Sequence, residues 1–102
     1  MKLTLDKNSL DQTVPQILRG LGYGFIIDKK SGQESYVRSL GRNFYPRFHL
    51  YLEEASNKII FNLHLDQKRP SYSGSNAHNA EYEGEVVENE MQRIEKIITY
   101  NL

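Results

Sequence analysis

The chain has 102 residues, no cysteine, 38% hydrophobic and 25% charged side chains, and 13 basic residues against 13 acidic ones. This composition fits one soluble globular domain, excludes disulfides, thiolate metal sites and cysteine nucleophiles, and argues against a dedicated polyanion binder. No apolar run approaches the ~20 residues of a membrane span, and Met1–Asp6 has no apolar stretch of signal-peptide length, so a cytoplasmic protein with no membrane partner is expected.

Read in chain order, Lys2-Leu3-Thr4-Leu5 alternates polar and apolar like a short edge strand. Leu10, Val14, Ile17, Leu18 and Leu21 then form an apolar stripe for a helix that Ser9 or Thr13 could cap. Pro15 decides between them: it is tolerated only in a first turn, which favours Thr13 and a helix over 14–20. Gly20 and Gly22 offer the left-handed residue that ends it. Tyr23–Asp28 reads as a buried strand, Lys29–Gly32 as a turn, and Gln33–Leu40 as the hairpin partner. After a break at Gly41-Arg42-Asn43, Arg47–Glu53 alternates strongly, Ala55–Asn57 turns, and Lys58–Asp66 alternates again. Residues 67–83 show no apolar period around Tyr72, His78 and Tyr82, and a loop of that length is usually functional or disordered. Val87, Met91, Ile94 and Ile98 then mark the buried face of a helix over 84–99. The fold expected is a single α+β domain, 1–102, with a long polar loop at about 67–83. Its antiparallel sheet has four strands, or five if Lys2–Leu5 joins it. A short N-terminal and a longer C-terminal helix lie on one face, and the other face is open or partly covered by the loop.

Register decides which polar residues meet. The apolar faces of 47–53 and 58–66 match only if paired residue numbers have an odd sum. A two-residue turn at Ser56-Asn57 sets Arg47 opposite Asp66, His49 opposite His64 and Tyr51 opposite Asn62. A four-residue loop sets Arg47 opposite His64. In both, Arg47, His49, His64 and Asp66 share one face. Two imidazoles and a carboxylate could hold a divalent metal, with His78 or Glu81 adding a ligand. The histidines could instead act as acid and base on a phosphate ester, with Arg47 holding the phosphate. The bland alternative is a polar ladder on a solvated sheet face.

A second pattern lies nearby. Residues 1–70 carry 11 basic and 7 acidic side chains, residues 71–102 carry 2 and 6, and the positive excess gathers between Lys29 and Arg47. Tyr36, Arg38, Arg42, Phe44, Tyr45, Arg47 and Tyr51 interleave cations and rings, as a surface for RNA or single-stranded DNA does. Core aromatics beside solvating arginines would look the same. Gly20-Leu21-Gly22-Tyr23-Gly24 precedes a strand rather than a helix and so is no dinucleotide loop.

Tyr36–Glu53, and His64-Leu65-Asp66-Gln67-Lys68 through Pro70-Ser71-Tyr72 to His78 and Tyr82, resemble small uncharacterised bacterial proteins, a family with no activity to carry over. The order helix, strands, helix is also similar to double-stranded-RNA-binding domains and to HicA-like mRNA interferase toxins, and Thr13–Ile27 resembles the HicA-like opening. Those toxins carry a Gly-Ser-His type signature after the first strand, whereas Lys30-Ser31-Gly32-Gln33 has no histidine. The likeness therefore extends to element order and not to nuclease activity.

The leading expectation is a small module that binds RNA or another phosphate-bearing ligand, with Arg38, Arg42 and Arg47 on phosphates and Tyr36, Tyr45 and Tyr51 stacking. One alternative is a metal-binding protein or histidine-dependent hydrolase built on His49, His64 and Asp66, with His78 from the loop. Another is a homo-oligomeric interaction protein that associates through a sheet face or edge strand.

Overall fold

A computed structural model describes residues 1–67, 80–81 and 84–100 of the chain. In order, it runs β1 (Lys2–Asp6), a 3-10 turn (Lys7–Ser9), α1 (Val14–Gly20), β2 (Gly24–Ile27), β3 (Glu34–Ser39), β4 (Arg47–Ala55), β5 (Lys58–Asp66), β6 (Ala80–Glu81) and α2 (Glu85–Tyr100). The sheet order is β1-β5-β4-β3-β2, with β6 also on β5, and every pairing is antiparallel. The chain thus starts at one edge, passes through α1 to the opposite edge, and returns strand by strand as a meander.

The β4–β5 hairpin follows from its alternation. Phe48, Leu50 and Leu52 stand opposite Leu65, Leu63 and Phe61. A two-residue turn at Ser56-Asn57 closes it, with Ser56 at φ 60 in the left-handed region that tight hairpins require. Leu3 and Leu5 of β1 pair with Phe61 and Ile59, which brings β1 into the sheet on the same apolar face.

The bounds of α1 match the capping argument. The Thr13 side chain accepts from the Gln16 N–H while the Gln16 side chain accepts from the Thr13 N–H, and Pro15 lies in the first turn. This reciprocal box satisfies two amide groups that a helix start leaves unpaired. Gly22 (φ 95) ends the helix, with Gly22 N–H on the Arg19 carbonyl and Tyr23 N–H on the Leu18 carbonyl. That double bond is a Schellman stop, and it needs a left-handed residue at Gly22.

Leu18 and Leu21, strand residues Phe48, Leu50, Ile59, Phe61, Leu63 and Leu65, and Val87, Met91, Ile94 and Ile98 of α2 join in one buried core cluster. Among the described residues no helix is long and apolar enough to cross a membrane. Two expectations are corrected. β1 joins the sheet on β5, as the five-strand expectation had it, and Ala80–Glu81 adds a short sixth strand inside the stretch read as loop. The polar face of the hairpin is also not openly solvated: Arg47 is 9% exposed and His64 5%. Residues 68–79 and 82–83 of the expected 67–83 loop, with His78, lie outside the described residues.

Candidate functional site

β4 and β5 pair Arg47 with Asp66, His49 with His64 and Tyr51 with Asn62, the register of the two-residue turn. Strand side chains alternate, so these residues face away from Phe48, Leu50, Leu63 and Leu65. Their side chains collapse on one another. The rings of His49 and His64 are 4.8 Å apart, and Tyr51 lies 4.5 Å from His49 and 5.5 Å from His64.

Asp66 is the hub. Its Oδ1 lies 2.9 Å from His64 Nε2, and its Oδ2 lies 3.0 Å from His49 Nδ1 and 3.3 Å from Arg47 Nε. Burial pushes this carboxyl upward, but the hydrogen bonds and charge interactions with His49 and His64 outweigh it and hold the group well below the usual carboxylate range. An ionised carboxylate only accepts, so both imidazoles donate to it. In a neutral ring that donation puts the His49 proton on Nδ1 and makes Nε2 the acceptor. The Ser35 hydroxyl of β3 stands 2.8 Å from that nitrogen, and in the neutral Nδ1–H tautomer it is the donor. Ser35 is 4% exposed.

Arg47 is fixed from the other side. Its guanidinium lies 4.8 Å from the Phe44 ring centroid and 4.6 Å from that of Tyr45, so two aromatic faces and one carboxylate hold it.

The residues expected to hold phosphates and stack on bases are not gathered. β3 pairs Tyr36 with Leu50 and Arg38 with Phe48, so both stand on the apolar face of the sheet. Tyr36 packs against the core and meets Phe25 edge-to-face at 5.5 Å. Arg38 lies over Phe48 and forms an ion pair at 3.6 Å with the buried Glu90. Glu90 also takes the Tyr23 hydroxyl and two nitrogens of Arg93. Arg47 and Tyr51 stand on the opposite face. Arg42 is exposed in the connection between β3 and β4, and Tyr45, in the same connection, is half-buried against Arg47.

His49, His64 and Asp66 do come together, with one donor atom of each within 4.8 Å of the others. A tetrahedral zinc ion at about 2.0–2.2 Å from each ligand needs these atoms nearer ~3.4 Å apart. Binding one would mean drawing the three together and exchanging both His–Asp hydrogen bonds for metal bonds. Ser35 was missed in the sequence. Its only signal was polar parity on a strand beside His49, and that depends on the β3–β4 register.

No protein-family model, curated protein or solved structure matches this chain.

Proposed function

We propose that the protein is a small histidine-dependent hydrolase in which His49 is the general base and Asp66 orients it. One observation carries this reading: Asp66 Oδ2 stands 3.0 Å from His49 Nδ1, and His49 Nε2 stands 2.8 Å from the Ser35 hydroxyl. A base oriented by a half-buried carboxylate is an arrangement suited to proton abstraction. We read both helices as covering the apolar face, because residues of each share the core cluster with Leu50 and Leu63. The polar face would then be the working one.

The test is hydrolysis of a panel of carboxylic and phosphate esters by the wild-type protein, His49→Ala and Asp66→Asn. An activity that drops at least 100-fold in both variants, with circular dichroism unchanged, is expected. An activity indifferent to His49 overturns the reading.

The gathering of three ligand-type side chains, His49, His64 and Asp66, supports a second reading, a divalent metal centre that would draw the three together. It predicts stoichiometric zinc, manganese or nickel in purified protein, lost in the His49→Ala/His64→Ala double variant. The RNA reading keeps exposed Arg42 and the adjoining Phe44 ring, itself exposed, as its support. It predicts oligonucleotide binding that weakens with salt and survives His64→Ala.

A further inference from the structure

We infer that Ser35 is the nucleophile of this centre and that the substrates are uncharged carboxylic esters, cleaved through an acyl-serine intermediate. The inference rests on the His49 hydrolase reading and adds to it the attacking atom and the substrate class.

The geometry is a relay of three side chains from three strands. Ser35 Oγ of β3 is 2.8 Å from His49 Nε2 of β4, and His49 Nδ1 is 3.0 Å from Asp66 Oδ2 of β5. Nucleophile, base and orienting carboxylate stand in the order and spacing that activate a serine hydroxyl. Asp66 is itself immobilised, since Arg47 takes its Oδ2 and His64 its Oδ1. It stays ionised throughout and stabilises the imidazolium formed when His49 accepts a proton. A polar ladder needs no such directionality. Here the Asp66 charge selects, in a neutral His49, the tautomer with its proton on Nδ1, and in that tautomer Ser35 is the donor.

The surroundings select an uncharged electrophile. On this face Ser35 is paired across to Ile26 of β2, and His49 is paired across to Val37 of β3. Arg47 is already neutralised by Asp66 and flanked by Phe44 and Tyr45, and Arg38 is on the other face against Glu90. A phosphate would find neither guanidinium ready to balance its charge, whereas an ester carbonyl asks for none in its ground state.

The steps balance. Ser35 Oγ adds to the carbonyl carbon as its proton passes to His49 Nε2, and the carbonyl electron pair moves onto oxygen. The pair returns, the bond to the alcohol oxygen breaks, and that oxygen takes the proton from Nε2, leaving an ester of Ser35. Water then adds in the same way, with His49 taking its proton and returning it to Ser35 Oγ. The net reaction is ester plus water to acid plus alcohol.

The test is covalent labelling of the full chain with a fluorophosphonate, read by intact mass and peptide mapping, beside turnover of an uncharged aryl ester. One adduct per chain on Ser35 is expected. Ser35→Ala should abolish the adduct, and His49→Ala should slow labelling at least 100-fold. Ser35→Cys, which keeps a nucleophile and nearly the same volume, guards against a folding artefact: it should be alkylated by iodoacetamide faster than the Ser35→Cys/His49→Ala double variant. A folded protein that takes no label, or takes it elsewhere, overturns the proposal. If Ser35→Ala still turns over the ester while His49→Ala does not, His49 acts directly on water: the nucleophile assignment fails and the hydrolase reading stands. If neither variant changes turnover, both fail.

Discussion

Asp66 shows how one residue can matter to both stability and chemistry. Three donors converge on its half-buried carboxylate. Asp66→Asn keeps the shape but turns one acceptor into a donor that faces another donor. We expect it to cost about 2–4 kcal/mol at neutral pH, measured by urea unfolding. The sign of the pH dependence follows from the direction of the shift. The folded carboxyl is held below its unfolded value, so its contribution is complete above the unfolded value and is lost as pH falls through the folded one. The gap between wild type and variant should therefore narrow below about pH 4. Tyr23 runs the opposite way. Burial, then the hydrogen bond to Glu90, raises its phenol far above the ordinary value, so its contribution is present below about pH 10 and is lost as pH rises beyond that. Tyr23→Phe strips a donor from the buried Glu90 and should cost about 1–3 kcal/mol at neutral pH. Its unfolding free energy should also fall less steeply than that of wild type in alkaline urea titrations.

At the level of elements, legibility tracked how local the deciding physics was. Helix α1 has seven residues, and its start is specified within four positions by Thr13, Pro15 and Gln16. Thr13→Ala should therefore cost about 1 kcal/mol of unfolding free energy measured in urea, and Thr13→Gly only a few tenths. The β4–β5 hairpin was readable because period-two alternation and one short turn fix its register, and with it the meeting of His49, His64 and Asp66. The β3–β4 register was not readable. The intervening residues 40–46 contain no turn that dictates a loop length, so parity alone could not say that Arg38 turns toward Phe48 and Glu90 while Ser35 turns toward His49. The β1–β5 pairing was hidden for a related reason. It joins residues from 52 (Asp6–Lys58) to 60 (Lys2–Asn62) positions apart, and the Lys2–Leu5 pattern is too short to name its partner. Burial of the polar face was hidden too, because alternation reports which side a residue faces and not whether its neighbours will close over it.

For the molecule as a whole, the meander leaves two edges of opposite character. The β1 edge carries Lys2 and Asp6 at its ends, charges that discourage pairing with another sheet. The β2 edge has no charged residue, and it exposes Phe25 by 50% and Ile27 by 56%. Its free backbone groups can be assigned. Asp28 N–H bonds the Gln33 carbonyl, so by antiparallel alternation Ile26–Ser35 and Gly24–Val37 are the hydrogen-bonded pairs, and the amides and carbonyls of Phe25 and Ile27 point outward. A second copy in antiparallel register about Ile26 would bring Phe25 opposite Ile27 twice, matching outward groups and apolar side chains together. The β2 edge is therefore where the protein should self-associate at high concentration. Ile27→Lys places a charge in that edge without touching the core. It should lower the concentration dependence of the sedimentation coefficient while leaving the unfolding free energy within about 0.5 kcal/mol of wild type. An association that persists unchanged in Ile27→Lys would move the contact elsewhere, to the sheet face or to the β1 edge. Either result bears on chemistry, since Ile26 is paired with Ser35 and a partner strand at β2 would lie one strand away from the proposed nucleophile.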